Sequence, residues 1–331
     1  MKHSLIIFPL LVASFLVVVI AGCQSRNKQT VGGNVIEQND EAAQSSTPSK
    51  AERAALFVPT LAPASFSDEQ KTLYLNEHYW DKFDFADTTF ISRADTAKML
   101  TSFAVYAVGC VPDSLVNKSM KSLMQKASAS KPMFEYFLFL AERVLHDPNS
   151  QLRNDELYIP ILESAISSKW LDEYERMPYQ HDLSIAIQNR VGRPANDFRY
   201  TLSSGRTKQM YDIEAKYLLI FISNPGCPMC RDVREQLLSS PMLNELSERG
   251  DLKVLVLYPD EDLEAWREHL KDYPSFWING YDKGKAITSE KSYDLRAIPA
   301  LYLLDSQKRV MAKDCTDVAY IETLITQAEE K

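Results

Sequence analysis

Glycine is nearly absent from the first half of the chain. Between Asn34 and Val191 only Gly109 occurs, whereas six of the ten glycines lie from residue 192 onward. Glycine weakens helix interiors, so this depletion predicts an all-α region followed by a segment of different architecture. Histidine is scarce as well. His78, His146 and His181 are scattered among expected helices, without ligand spacing and without a paired acid at a fixed offset, which leaves them packing or surface roles. Basic residues do not predominate: 37 Lys and Arg face 45 Asp and Glu, for a net charge of −8. That balance excludes nucleic-acid binding and a basic membrane-surface patch. No fixed period runs through the sequence, so a regular repeat array is excluded too.

Of the five cysteines, two form Cys227-Pro228-Met229-Cys230. This motif follows the apolar run 217–222 and opens a segment, 229–238, that reads as a helix. A sulfur at a helix start sits among unpaired backbone N–H groups at the positive end of the helix dipole, which favours the thiolate. A second thiol one turn on is placed to attack a mixed disulfide and release a substrate. The motif also matches half of a zinc site, but no second C-x-x-C or H-x-H completes four ligands. Reversible disulfide exchange, without metal or cofactor, is therefore the chemistry expected. Cys110 and Cys315 either pair with each other or, as we expect, act as small buried apolar residues.

The N-terminus bears on the compartment. Met1-Lys2-His3 gives a basic start, and residues 5–21 form an apolar run interrupted only by Pro9 and Ser14. Its length lies between a signal-peptide core and a short membrane span. Ile20-Ala21-Gly22-Cys23 resembles a lipobox, which makes 1–22 a lipoprotein signal peptide and Cys23 the lipidated residue. The other reading is an uncleaved anchor with an incidental Cys, and both put the remainder outside the cytoplasm. Gln24 in place of an Asp favours the outer membrane. The lack of an acidic cluster after Cys23 favours a periplasm-facing chain.

Residues 23–64 are rich in Gln, Asn, Ser, Thr and Ala and read as a flexible tether, which would span roughly 30–40 Å. Residues 65–188 read as an all-α domain. Ser67-Asp68-Glu69-Gln70 and Ser92-Arg93-Ala94-Asp95 look like capping boxes, and Pro112 and Pro132 suit first turns. Met133, Phe134, Phe137, Leu138, Ala141, Val144 and Leu145 recur at helical spacing, with further helices expected over 155–168 and 178–189. Trp80 and Trp170 are expected as core anchors, an exposed aromatic patch at Tyr79, Trp80 and Phe83 being the weaker alternative. Residues 189–331 alternate strand and helix signals: a hairpin around 203–206, strands at 217–222 and 252–258, a helix at 262–270, a strand pair around 305–308 and a helix at 318–329. Parallel central strands with crossover helices, then an antiparallel pair, give an α/β sandwich.

With these features in view, 189–331 resembles the thioredoxin superfamily, in particular the TlpA/ResA-like thiol-disulfide oxidoreductases. Gly192-Arg193-Pro194-Ala195-Asn196-Asp197-Phe198 resembles their opening motif, and Ile298-Pro299 their cis-proline and its neighbour. The long interval between Cys230 and Pro299 suits that branch's inserted helix and strand, expected near 263–281. Tyr79-Trp80-Asp81-Lys82-Phe83-Asp84-Phe85 resembles an uncharacterised domain that precedes thioredoxin folds in envelope lipoproteins. The resemblance implies an α/β thioredoxin-like sandwich preceded by the all-α domain. It implies Cys227 as nucleophile, Cys230 as resolving thiol, and Pro299 and Ile298 as the substrate groove, with Ile298 donating backbone hydrogen bonds. Two positions depart from the pattern: Phe221 and Val233 stand where relatives carry an acid, so no base for the resolving thiol is identifiable, and Asp232 and Glu235, the alternatives on the helix, read first as solvated surface charges. Met229 lacks the charge associated with strong oxidants, so a reductase or isomerase is expected, with a potential of roughly −200 to −270 mV. Implied partners are disulfide-bearing envelope proteins, a DsbD-like membrane electron donor, and the membrane through the lipid anchor. Rival readings are a binding or scaffold module without redox turnover and, from Asn224-Pro225-Gly226-Cys227, a peroxiredoxin-like peroxidase.

Overall fold

A computed structural model of the chain describes residues 55–330. The segment expected as signal peptide and most of the expected tether, with Cys23, lie outside the described residues. Ordered structure begins earlier than composition indicates. Ala55 N–H donates to Arg93 O (2.8 Å), Thr60 N–H donates to Tyr79 O (3.2 Å), and Phe57 stacks on Trp80 with ring centres 4.8 Å apart. Residues 55–64 therefore pack onto the helical region instead of extending the tether.

Helix α1 (Asp68–His78) starts at the expected capping box, with Ser67 Oγ accepting from Gln70 N–H and Gln70 Oε1 from Ser67 N–H. The second box does not form. Ser92 lies inside α2 (Thr89–Arg93), its hydroxyl turned back to Thr89 O, and Asp95 itself caps α3 (Thr96–Ala104). A wide π-helical turn, Val105–Cys110, and a short 3-10 turn after Pro112 lead into α4 (Val116–Ala127). In α5 (Lys131–Leu145), Pro132 takes a first-turn position and the whole expected apolar stripe is buried. Pro160 sits in the interior of α6 (Asp155–Ile166). Helix α7 (Glu173–Ala186) begins at an Asp172–Glu175 capping box, ahead of the expected start, and carries Pro178 within it.

The helical core closes around Trp80, whose ring meets Phe83 and Phe137 edge-on at 5.8 and 5.3 Å. Tyr79, Trp80 and Phe83 are all buried, so the exposed-patch alternative fails. Trp170 is partly buried against the same core, its Nε1–H donating to Ser128 O. Among the described residues, no single helix is long and apolar enough to cross a bilayer.

The second half is one seven-stranded mixed sheet covered by helices. Strands β1 (Arg199–Leu202) and β2 (Thr207–Gln209) form the expected hairpin. The centre is β3 (Tyr217–Ile222), buried on both faces, a pattern that suits a continuous apolar run. It leads into α8 (Pro228–Ser239), α9 (Pro241–Glu248) and β4 (Leu252–Tyr258). Then follow α10 (Leu263–His269), β5 (Ile278–Tyr281), α11 (Ala286–Ser289), β6 (Ala300–Asp305), β7 (Val310–Cys315) and α12 (Val318–Glu329). The order is β2-β1-β5-β4-β3-β6-β7, with β3, β4 and β5 parallel and β6 antiparallel to β3. Tyr217, Leu219 and Phe221 point into a core shared with α8, α9 and α12; Leu218, Ile220 and Ile222 point into the opposite one with Tyr200, Ile287 and Tyr302. Helix α9 has no counterpart in the sequence reading, while α10 and β5 form the inserted pair expected near 263–281.

A polar seam joins the helical region to this sheet. Lys313 Nζ pairs with Asp155 (2.6 Å) and donates to Ala186 O and Gln188 O; Arg153 pairs with Asp314 (2.9 Å). Arg296, held by Asp294, reaches His146, which lies 3.2 Å from Asp182. Burial alone would raise the Asp294 carboxyl, but the Arg296 guanidinium holds it below the usual carboxylate range. The histidines are thus not free of acids: His78 pairs with Asp81 (2.7 Å) in sequence and His146 with Asp182 across elements.

Candidate active site

The chain reaches the site through a turn that requires glycine. Gly226 has φ +74°, a left-handed conformation open to glycine at little cost, and it turns the exit of β3 into α8. Cys227 then becomes the N-cap of α8. Its Sγ accepts the Cys230 N–H at 3.2 Å, the place a Ser or Asp oxygen takes in other helices. Pro228 follows at the first helical position, where its missing N–H costs nothing. Cys227 is partly exposed and Cys230 is buried. Both thiols are free, as are Cys110 and Cys315, so the alternative in which those two pair is not realised.

On the other side of the thiols lies the Ile298–Pro299 peptide, which is cis. The Cys227 thiol faces the Ile298 carbonyl at 3.8 Å. The four site residues expected from the sequence are therefore gathered at one place, with the Ile298 carbonyl, as an acceptor, turned toward the sulfur. Met229 projects into solvent beside them, 57% exposed, giving the rim an uncharged apolar element.

The two thiols differ in environment. Burial pushes the Cys230 thiol up to about 12 and a hydrogen bond with Cys227 adds to the rise, against hydrogen bonds from the Asn224 backbone and the Ser223 hydroxyl. Asp232 and Glu235 are solvated, as helix charges are expected to be, and neither is placed as a base. Both lie on the outer face of α8, while Phe221 and Val233 are apolar and buried. What lies on the inner side instead is Ser223, 2% exposed, whose Oγ is 3.0 Å from Tyr273 Oη. No motif in the sequence marks either residue. Ser223 follows a strand, and Tyr273 sits in the insertion between α10 and β5. Among the described residues, no group of three or more His, Cys, Asp and Glu is placed to hold a metal.

A family described as thioredoxin-like matches residues 214–310, and a domain of unknown function (DUF5106) matches 33–189. The crystal structure of a thioredoxin-like protein from Bacteroides caccae is 38% identical, with a TM-score of 0.77, covering 82% of this chain and 99% of that one. The chain belongs to the thioredoxin-like family. The crystal structure of the C-terminal domain of an uncharacterized protein from Bacteroides fragilis is 45% identical over 42% of this chain and 98% of that one, with a TM-score of 0.41. Mouse (Mus musculus) nucleoredoxin is 20% identical over 112 residues, 34% of this chain and 25% of its own length. This thioredoxin-like chain thus spans about a quarter of the length of the curated relatives it matches.

Proposed function

We propose that the chain is a thiol-disulfide oxidoreductase of the cell envelope, acting through Cys227 and Cys230. The observation that carries this reading is the pairing of a partly exposed cysteine, its sulfur capping a helix, with a buried cysteine one turn behind it. Cys227 attacks a substrate disulfide, forming a mixed disulfide; Cys230 then attacks Cys227 Sγ and the substrate leaves as a thiol. The cis-proline loop opposite provides the groove in which a substrate strand lies beside the sulfur. The uncharged Met229 between the thiols supports reduction or isomerisation over oxidation. In this reading Cys23 carries the lipid, the chain faces the periplasm from the outer membrane, the substrates are disulfide-bearing envelope proteins, and a DsbD-like membrane protein returns electrons.

Two measurements test the activity and its direction. The reduced protein accelerates insulin reduction by dithiothreitol, and the double variant Cys227→Ser, Cys230→Ser does not. Equilibration against glutathione returns a potential of roughly −200 to −270 mV; a value near about −120 mV contradicts the reductive direction.

A further inference from the structure

A buried thiol that resolves a mixed disulfide has to lose its proton, and no carboxylate is at hand to take it. The groups acting on the Cys230 thiol are Cys227, the Asn224 backbone and the Ser223 hydroxyl. Behind Ser223 the polar contacts continue outward. Ser223 Oγ lies 3.0 Å from Tyr273 Oη. The Arg234 guanidinium, one turn beyond Cys230 on α8, stands 5.5 Å from the Tyr273 ring centre. Arg234 is held by Asp272 (3.6 Å), and Asp272 by His269 (2.6 Å). Tyr273 is half-buried, Arg234 and Asp272 partly exposed, so the series runs from the covered sulfur to solvent.

We propose that Ser223 and Tyr273 form a hydroxyl relay that carries the Cys230 proton to solvent as Cys230 resolves the mixed disulfide, an inference that rests on the exchange activity proposed above. Each hydroxyl is both donor and acceptor, so one can accept a proton while passing on its own. The Cys230 S–H proton moves to Ser223 Oγ, the Ser223 proton to Tyr273 Oη, and the Tyr273 proton to water. The Cys230 sulfur forms its bond to Cys227 Sγ while the bond from Cys227 to the substrate sulfur breaks. The substrate sulfur keeps the electron pair and takes up a proton from solvent, so the exchange balances without a further reductant. In this relay Ser223 takes the proton from the reacting thiol and is the catalytic group. Tyr273 acts through it, and Arg234 is a positioning residue whose charge faces the phenol. Burial raises the Tyr273 hydroxyl, while the Ser223 hydrogen bond and Arg234 oppose the rise, so the phenol stays a neutral relay at neutral pH.

The test uses the full chain, reduced, with the aromatic disulfide dithiobis(nitrobenzoate) as probe. The first equivalent of released dye reports Cys227 attack and the second reports resolution by Cys230; a Cys230→Ser variant releases only the first. In Ser223→Ala and Tyr273→Phe the second phase slows at neutral pH by about 10-fold or more, the first is unchanged, and the deficit shrinks as hydroxide replaces the relay at higher pH. Ser223→Thr, which keeps the hydroxyl, restores the second phase. A second phase at the wild-type rate in both variants overturns the relay, as does a slowing that is uniform with pH or is not rescued by threonine. A wild-type chain that releases no second equivalent overturns the exchange reading itself, which distinguishes the two failures.

Discussion

Cys227 occupies a helix N-cap and is partly exposed, whereas Cys230, one turn on, lies covered, with burial pushing its thiol up to about 12. Burial pushes Cys110 and Cys315 up to about 12 as well. All three stay protonated through neutral pH, so iodoacetamide at pH 7 to 9 should label Cys227 ahead of them, as peptide mapping by mass spectrometry would show. Equal labelling of Cys230 would contradict the asymmetry. The sign for stability follows from the same shifts. An unfolded thiol ionises near its ordinary value of 9.0 while the folded one holds its proton, so the unfolded state binds fewer protons above pH 9. These contributions are intact below pH 9 and are lost as pH rises toward about 12.

At the scale of elements, the strongest sequence signals were those with one physical cause. The unbroken apolar run of β3 and the periodic stripe of α5 were both legible, as was the junction that sets Cys227 at a helix start. Signals that mislead arise where one residue type serves two places. Pro178 looked like a start because proline is welcome in a first turn, yet α7 begins at the Asp172–Glu175 box and tolerates the ring inside. Ser92-x-x-Asp95 had capping chemistry, but the helix ends at Arg93, Ala94 is extended, and the cap of α3 falls to Asp95 alone. Ser223 and Tyr273 were illegible because they meet only through the insertion between β4 and β5. Gly280 shows a similar long-range demand. A Cβ there would stand 2.6 Å from Tyr200 Cδ2, on a ring that is fully buried in β1. Gly280→Ala should cost about 1–3 kcal/mol by urea unfolding, since the ring cannot move without disturbing the core. A change below about 0.5 kcal/mol would show that β1 and β5 are not held so closely.

At the scale of the whole molecule, the helical region is tied to the sheet by ion pairs and hydrogen bonds. Lys313 is largely buried, and its ammonium is shared by Asp155 and two carbonyls at the end of α7. Lys313→Met keeps the apolar stem but leaves the carboxylate and both carbonyls unpaired, which should lower stability by about 3 kcal/mol. It should also separate the unfolding of the two regions, seen as non-coincident transitions by near-UV and far-UV circular dichroism; one coincident transition at unchanged midpoint would contradict this. The seam also comes within two residues of the active-site loop. Arg296, two residues before Ile298, is gripped by Asp294 and meets His146 of the helical region. His146 lies within the segment that matches the domain of unknown function, so that segment contacts the stretch of chain leading to Ile298. The claim on which the rest depends is that Cys227 forms a mixed disulfide which Cys230 resolves, and trapping tests it most directly. Reduced Cys230→Ser chain, incubated with envelope extract, should accumulate covalent adducts on Cys227 that dithiothreitol releases and Cys227→Ser abolishes. An absence of adducts, with the Cys227 thiol confirmed reduced, would contradict the account.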